Sequence, residues 1–172
     1  MTFTFETPRL LFRELTSSDE AGMFELDSNP EVHTYLGNNP VTDIEQIREV
    51  LRNVGERYKT NGTGRMAVIL KESGEFIGWA GFKLEQNING HEQFYDLGYR
   101  FIQKHWGKGY AAAAFVDYGF NVMKLDVINA YTESGNIASR KVLEKAGLKM
   151  IETFEQDGLE EIWFELKNPN LL

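Results

Sequence analysis

Three strand-like segments that follow one another closely in residues 65–102 limit most strongly what this chain can fold into. A three-residue turn, ESG, separates RMAVILK from EFIGWAGFKLE, and Asn89-Gly90 leads into the third segment, residues 92–102. An Asn-Gly pair favours a type I′ hairpin turn, and connections this short join antiparallel strands. The sequence therefore predicts an antiparallel meander in the middle of the fold.

One strand and two helices are predicted before this meander. RLLFREL, residues 9–15, is typical of a strand, and a helix is expected from Thr16–Ser18 to about Asn29-Pro30. A capping-box pattern, Thr42 with Glu45, begins the second helix. Its apolar positions recur at helical spacing and are Ile44, Ile47, Val50, Leu51 and Val54.

Helices and strands alternate after the meander. We expect a helix over residues 108–124, a strand over 126–133, a helix over 136–146 and a final hairpin that turns at Asp157-Gly158. A strand followed by a helix and a second strand favours a parallel pair. The expected fold class is therefore α/β (α+β), with a mixed, mostly antiparallel sheet of about seven strands flanked by about four helices. Its length of 172 residues suits a single domain.

Composition excludes several classes of function. The formal charge of −8 disfavours a nucleic-acid partner, which requires a basic surface, and mildly favours an amine substrate. The chain has no cysteine, and its three histidines lack the i, i+4 spacing of a zinc motif, so no metal is expected. It has no apolar run of membrane-spanning length and no secretory signal pattern. We therefore expect a cytoplasmic protein without a membrane partner.

The stretch QKHWGKGYAAAAF, residues 103–115, connects a predicted strand to a predicted helix. The first N–H groups of a helix lack partners and carry partial positive charge, so they bind anionic oxygens where the backbone is accessible. Gly107 and Gly109 would provide that access. Three basic side chains would add positive potential: Lys104, His105 and Lys108. The alternative is that the glycines only begin the helix and the alanines only pack it.

Three phosphate-binding motifs are distinguishable in this stretch. The Walker A pattern is absent, because the required glycine and Ser/Thr positions hold Ile102 and Gly109. A dinucleotide fingerprint is met loosely by Gly107, Gly109 and Ala112, but such domains need repeated β-α units. A nicotinamide-dependent oxidoreductase is therefore a distant alternative. The pyrophosphate of coenzyme A needs the same backbone N–H groups and is the third candidate.

A second pattern occurs at the start of the following helix. Asn136, Ser139 and Leu143 are spaced i, i+3 and i+7, so they share one helix face. Polar groups on a face that continues into an apolar one need partners, which a ligand between helix and sheet would supply. The alternative is that Asn136 caps the helix and Ser139 bonds its backbone.

Together these motifs resemble the GNAT superfamily of N-acetyltransferases. The run from Trp106 to Ala111 is similar to the pyrophosphate loop of that superfamily, whose pattern is Gln/Arg-x-x-Gly-x-Gly/Ala. Asn136, Ser139 and the segment 143–148 resemble its later motif. The opening TPRLLFREL, followed by NPEVHTYL, looks like the branch of ribosomal-protein N-terminal acetyltransferases. The resemblance covers nearly the whole chain in order.

The resemblance implies an acetyl-CoA-binding core at about residues 92–148, within a single N-acetyltransferase domain over residues 1–172. Ser139 would be catalytic, as proton donor to the departing thiolate. The implied cofactor-binding residues are Arg100, Phe101, Ile102, Trp106, Gly107, Lys108, Gly109, Tyr110, Ala111 and Asn136. The chain departs from the family pattern at Trp106, in place of Gln or Arg, and at Ala113, where the branch often has glutamate.

The implied function is acetyl-CoA-dependent acetylation of a primary amine, including a protein N-terminal α-amine. The alternatives are acetylation of a small amine (polyamine, amino acid or antibiotic) and acyl-CoA binding without turnover. The general base is open among four carboxylates of the last strands: Glu152, Glu155, Glu160 and Glu161. His33 and Tyr35 are candidates to line the acceptor site, and both a monomer and a homodimer occur in the family.

Overall fold

The computed structural model describes residues 3–109 and 111–171. Within these residues there are eight strands and four α-helices. The strands are β1 Thr4–Glu6, β2 Leu10–Glu14, β3 Arg65–Leu70, β4 Glu75–Ile88, β5 His91–Phe101, β6 Val127–Glu133, β7 Lys149–Gln156 and β8 Leu159–Lys167. The helices are α1 Glu20–Asp27, α2 Ile44–Asn61, α3 Ala112–Asn121 and α4 Ile137–Lys145, with short 3₁₀ helices at Ser17–Asp19, Gln103–His105 and Pro169–Leu171.

The described strands are hydrogen-bonded in the order β1-β2-β3-β4-β5-β6-β8-β7. The β5–β6 pair is parallel, with Asp96 opposite Asn129, whereas β1–β2, β2–β3, β3–β4, β6–β8 and β7–β8 are antiparallel. This confirms the mixed, mostly antiparallel sheet. The sequence prediction missed β1, which has three residues and pairs Thr4 with Arg13, because so short a strand carries almost no periodic signal.

The chain divides into two compact units. The first comprises Met1–Gly81 with Tyr99–Tyr110, and the second comprises Phe82–Gly98 with Ala111–Leu172. Each unit has its own buried side chains and is described by itself. The expectation of one domain over residues 1–172 stays a prediction.

Helices α1 and α2 contribute much of the core of the first unit. Apolar residues of α2 are buried at i, i+4 and i+7 spacing and pack with Met23 and Leu26 of α1. The buried residues of α2 are Ile47, Leu51, Val54 and Tyr58. The predicted apolar face was wrong at Val50, which is 37% exposed. The sequence prediction also missed the buried Tyr58, whose hydroxyl accepts a 2.9 Å hydrogen bond from the Leu15 N–H.

The start of α2 differs by one residue from the predicted capping box. Asp43, not Thr42, is the N-cap, and its carboxylate accepts a hydrogen bond from the Glu45 N–H at 2.9 Å. Gln46, not Glu45, completes the box by accepting from the Asp43 N–H at 3.0 Å. Both pairs have the required spacing of three residues, so the pattern alone did not distinguish them.

The second unit places helix α3 close to its strands. Phe115 packs edge to face with Phe82 of β4, with ring centroids 6.2 Å apart. A Cβ atom added at Gly119 would lie 2.8 Å from the Phe82 ring and 2.9 Å from Ile128. The close approach of this helix therefore depends on Gly119 as well as on Ala111 and Ala112, which are buried. The predicted turns at Asn89-Gly90 and Asp157-Gly158 are confirmed, because all four residues have positive φ.

Candidate functional site

The glycine loop is longer than the sequence predicted. Helix α3 begins at Ala112 rather than at residue 108. Gly107 and Gly109 have φ values of +72° and +67°, which a right-handed helix does not admit. These glycines therefore shape a loop before the helix, instead of forming its first turn. Tyr110 lies outside the described residues.

The loop has the accessibility that an anion site needs. Outside each glycine and its two neighbours in the chain, no described atom lies within 4 Å of a Cβ built at Gly107 or Gly109, and both glycines are exposed. Ala111 is the N-cap of α3 and supplies no side-chain hydrogen bond to the first turn. Within the described residues, the first turn of this ten-residue helix has neither a side-chain cap nor an acidic side chain, so its positive end is not compensated there.

The basic residues of this loop contribute less positive potential than the sequence suggested. Lys104 and His105 both face the carboxylate of Glu75, with His105 Nε2 at 3.5 Å from Glu75 Oε1. The hydrogen bond from Lys104 lowers the pKa of Glu75 below its ordinary value, so this carboxylate stays ionised. Lys108 makes no ion pair with the described residues. Of the three basic side chains of this loop, we therefore expect Lys108 to contact a bound anion.

Backbone groups at the end of β5 make hydrogen bonds within the protein. The Ile102 N–H donates to the Ile77 carbonyl at 3.0 Å, and the Ile102 carbonyl accepts from the His105 N–H at 2.9 Å. Both groups of Ile102 are therefore already bonded within the protein. The Phe101 carbonyl accepts a hydrogen bond from the indole Nε1 of Trp106 at 2.8 Å. Trp106 is 46% exposed, so this contact lies at the surface.

The Arg100 side chain holds β5 to α1. Its Nη1 donates to Asp27 Oδ1 at 2.6 Å, and its guanidinium lies 5.2 Å from the centre of the Trp79 ring. Sequence reasoning missed this pair, because Asp27 and Arg100 are 73 residues apart and no local pattern connects them. The candidate acceptor residue His33 is buried beside them, with Nε2 at 3.8 Å from Asp27 Oδ1. Tyr35 is 40% exposed.

In the second unit, Asn136 is the N-cap of helix α4. Its side-chain oxygen accepts a hydrogen bond from the Ser139 N–H at 3.2 Å. The alternative reading of Asn136 as a helix cap is thus confirmed. The Asn136 side-chain nitrogen makes no hydrogen bond within the described residues, so capping leaves a donor for another partner. Ser139 is half-buried, one turn along the same helix.

A group of carboxylates lies on one face of the second unit. Glu161 of β8 stands opposite Glu133 of β6, and Asp96 of β5 is 7% exposed. Burial, together with the negative charges of Glu133 and Asp96, raises the pKa of Glu161 to about 7. The sequence named Glu161 among four carboxylates but did not distinguish it, because its burial and its neighbours come from three separate strands.

The other three carboxylates differ in surroundings from Glu161. Glu152 accepts a 2.8 Å hydrogen bond from the Asn89 side chain, and Glu155 and Glu160 are exposed. No cluster of three or more His, Asp or Glu side chains in residues 3–109 and 111–171 is arranged to hold a metal ion. None of the helices described in these residues has both the length and the hydropathy needed to cross a membrane.

Known proteins resemble this chain in sequence and in fold. An uncharacterized N-acetyltransferase of Bacillus licheniformis, p20, is 33% identical over 160 residues, which cover 91% of this chain and 84% of that protein. The ribosomal-protein-S5-alanine acetyltransferase of Vibrio fischeri superposes with a TM-score of 0.77, at 20% identity, over 98% of each chain. Spermidine N-acetyltransferase of Vibrio cholerae, in complex with CoA and spermine, gives 0.71 at 18% identity, over 94% of this chain and 97% of that one.

The match to a family model is broader than any single motif. Residues 9–149 match the acetyltransferase (GNAT) domain, a range that includes the glycine loop, the end of β5, Asn136 and Ser139. The resemblance inferred from the motifs is thereby confirmed, and so is the expected fold. This chain belongs to the GNAT family of acetyltransferases.

Proposed function

We propose that this protein transfers the acetyl group of acetyl-CoA to a primary amine, with a protein N-terminal α-amine as the first candidate acceptor. The observation that carries the cofactor assignment is the exposed glycine loop before an uncapped helix N-terminus. The pyrophosphate would bind the backbone N–H groups of residues 107–111, with Lys108 beside it. Phe101 and Asn136 would bond the amides of the pantetheine arm.

The reaction proposed is direct attack on the thioester. The amine nitrogen forms a bond to the acetyl carbonyl carbon, the carbon–sulfur bond breaks, and CoA leaves as a thiolate. One proton must leave the amine and one must reach the sulfur. We assign the first proton to Glu161, which releases it to solvent, and the second transfer to Ser139, whose hydroxyl is reprotonated from solvent water. Positioning of both reactants would supply much of the rate enhancement.

Glu161 suits the first role because its pKa of about 7 lies near physiological pH. An α-amine has a pKa of about 7.7 to 8.0, so such a base removes its proton with little thermodynamic cost. A lysine or polyamine amine, with a pKa near 10.4, would need a stronger base. Because the pKa of Glu161 lies close to that of an α-amine, we rank α-amines above polyamines as candidate acceptors. For the same reason we rank Glu161 above the three other carboxylates as the candidate base.

An acceptor panel tests the proposed function. We expect release of CoA thiol when acetyl-CoA is mixed with peptides that have a free α-amine. The matched control is a peptide with the same sequence whose α-amine is blocked and whose only free amine is that of a lysine side chain. This peptide should react much more slowly. Faster turnover of polyamines, amino acids or aminoglycosides would assign a small-amine acceptor instead. Tight CoA binding with no thiol release on any acceptor would leave only an acyl-CoA-binding module.

Replacement of Ser139 by alanine tests the proton donor. We expect Ser139→Ala to lower kcat by up to about 10²-fold, the lower end of the range for a lost proton-transfer group, because a thiolate is already a good leaving group. The Kd for CoA should change little, since the Ser139 backbone N–H still bonds Asn136. Single-turnover rates and calorimetric Kd values separate these effects. An unchanged kcat would remove Ser139 from the mechanism.

The proposal also includes a cytoplasmic location for the enzyme. Monomer and homodimer are the two assembly states that the family suggests. Sedimentation of the purified chain would distinguish them by mass.

A further inference from the structure

The end of β5 has a definite direction of its backbone groups. The Ile102 N–H points to β4, where it donates to Ile77. The Arg100 carbonyl also points to β4, because it is the nearest atom to a Cβ built at Gly78. Successive residues of a strand direct their N–H and C=O groups to opposite sides. The Phe101 carbonyl is therefore directed away from β4, toward the side on which an extended ligand would bind.

That carbonyl is covered by a side chain of the same loop. The Trp106 indole reaches back five residues and donates its Nε1–H to the Phe101 oxygen at 2.8 Å. A short backbone turn stabilises this position of Trp106, because the Trp106 N–H donates to the Gln103 carbonyl at 3.1 Å. An indole nitrogen is a donor only, as is the N–H of a secondary amide. The indole thus makes the hydrogen bond that an incoming amide N–H would make.

We propose that Trp106 is a latch that acyl-CoA displaces: its indole N–H bonds the Phe101 carbonyl in the free protein and yields that oxygen to an amide N–H of the pantetheine arm. The inference rests on the proposed function, since it requires a ligand with such an arm. The geometry allows the movement, because Trp106 is 46% exposed and is followed by Gly107 at a φ of +72°. Binding would then exchange one hydrogen bond for another.

The latch predicts that loss of the indole donor improves binding of the whole cofactor. We expect Trp106→Phe to bind CoA about two- to tenfold more tightly, the factor that one net hydrogen bond supplies. The control ligand is adenosine bisphosphate, which has the nucleotide end of CoA but no pantetheine arm. Its Kd should be the same for the wild-type protein and Trp106→Phe. Calorimetry of both ligands on both proteins gives the four values.

A spectroscopic measurement tests the displacement directly. The indole N–H resonance of Trp106 is the one absent from the spectrum of Trp106→Phe. We expect CoA to shift it, because its acceptor changes, whereas adenosine bisphosphate should leave it in place. Weaker CoA binding by Trp106→Phe, or an unshifted resonance at saturating CoA, would show that the indole is a fixed part of the site and overturn the latch alone. Failure of the wild-type protein to bind either ligand would overturn the proposed function together with the latch.

Discussion

Gly109→Asp is expected to weaken CoA binding by about 10²-fold. A carboxylate at this position would lie in the loop proposed to hold the pyrophosphate. Two unit charges at about 4 Å repel by about 1 kcal/mol in water and by about 4 kcal/mol at the effective dielectric of a protein surface. Since 1.4 kcal/mol corresponds to a tenfold change in Kd, the loss lies between about fivefold and about a thousandfold.

The matched control is Gly109→Asn, which has nearly the same shape without the charge. Gly109 has a φ of +67°, and Asn and Asp are the residues that tolerate this region best after glycine. Outside the residues adjacent in the chain, no described atom would lie within 4 Å of the new Cβ. Both variants should therefore fold with similar stability, and the difference between their Kd values reports the charge.

Ionic strength provides a second measurement on the same pair. The Kd ratio of the Asp and Asn variants should fall as salt is added, because the loop is exposed and the repulsion is screened over about 8 to 10 Å. Equal Kd values for the two variants at low salt would mean that the pyrophosphate does not bind at this loop. Equal melting temperatures would show that folding is not the cause of any difference.

Glu161→Gln is expected to lower kcat/KM for an α-amine acceptor by about 10² to 10⁴-fold, the usual contribution of a general base. The wild-type rate should rise with pH as Glu161 ionises, with a limb near its pKa of about 7. The variant should lose this limb and keep the one that belongs to the acceptor amine, near about 7.7 to 8.0. The pH profile thus separates the base from the amine.

Stability should depend on the same titration, with a defined sign. The pKa of Glu161 is about 7 in the folded protein and 4.5 in the unfolded chain, so the folded state binds more protons between these values. Wild-type stability should therefore fall as pH rises through this window and become level above it. The amide introduced by Glu161→Gln does not titrate, so the melting temperature of this variant should lack the contribution. Melting temperatures of both proteins, recorded below pH 4.5 and above pH 7, measure this contribution of Glu161 to stability.

Glu160→Gln is the comparison variant for this prediction. Its side chain is exposed and leaves β8 on the side opposite to Glu161. We expect its pH–rate profile to keep the limb near pH 7. If this limb disappeared in Glu160→Gln and persisted in Glu161→Gln, the base would be Glu160. If both variants kept it, the base would not be on this strand.

Predictions from the sequence succeeded where one local pattern defined the result. Asn89-Gly90 and Asp157-Gly158 adopt the positive φ values expected of hairpin turns, because few residue pairs other than these suit that geometry. They were less successful at helix starts. Thr42 and Asp43 both suit an N-cap, and Gly107 and Gly109 suit either a first turn or a loop, so the choice depended on contacts beyond the local stretch.

The candidate site was predictable as a set of backbone positions but not as a set of side-chain contacts. The sequence located the glycine loop, Asn136 and Ser139 within the family pattern, whose match over residues 9–149 is confirmed. It did not indicate that Lys104 and His105 face Glu75, or that Trp106 covers the Phe101 carbonyl. These contacts depend on which side chains the loop brings within reach, and such distances have no periodic signature.

By itself, the amino-acid sequence determined the fold class and family of this protein, because hairpin turns, helical spacing and glycine positions are local and repeat in a recognisable order. The tertiary structure alone decided which polar groups are engaged. Asp27 reaches Arg100 across 73 residues, and Glu161 acquires its raised pKa from burial beside Glu133 and Asp96 on other strands. Electrostatic and hydrogen-bonding properties depend on distances through space, which separation along the chain does not define.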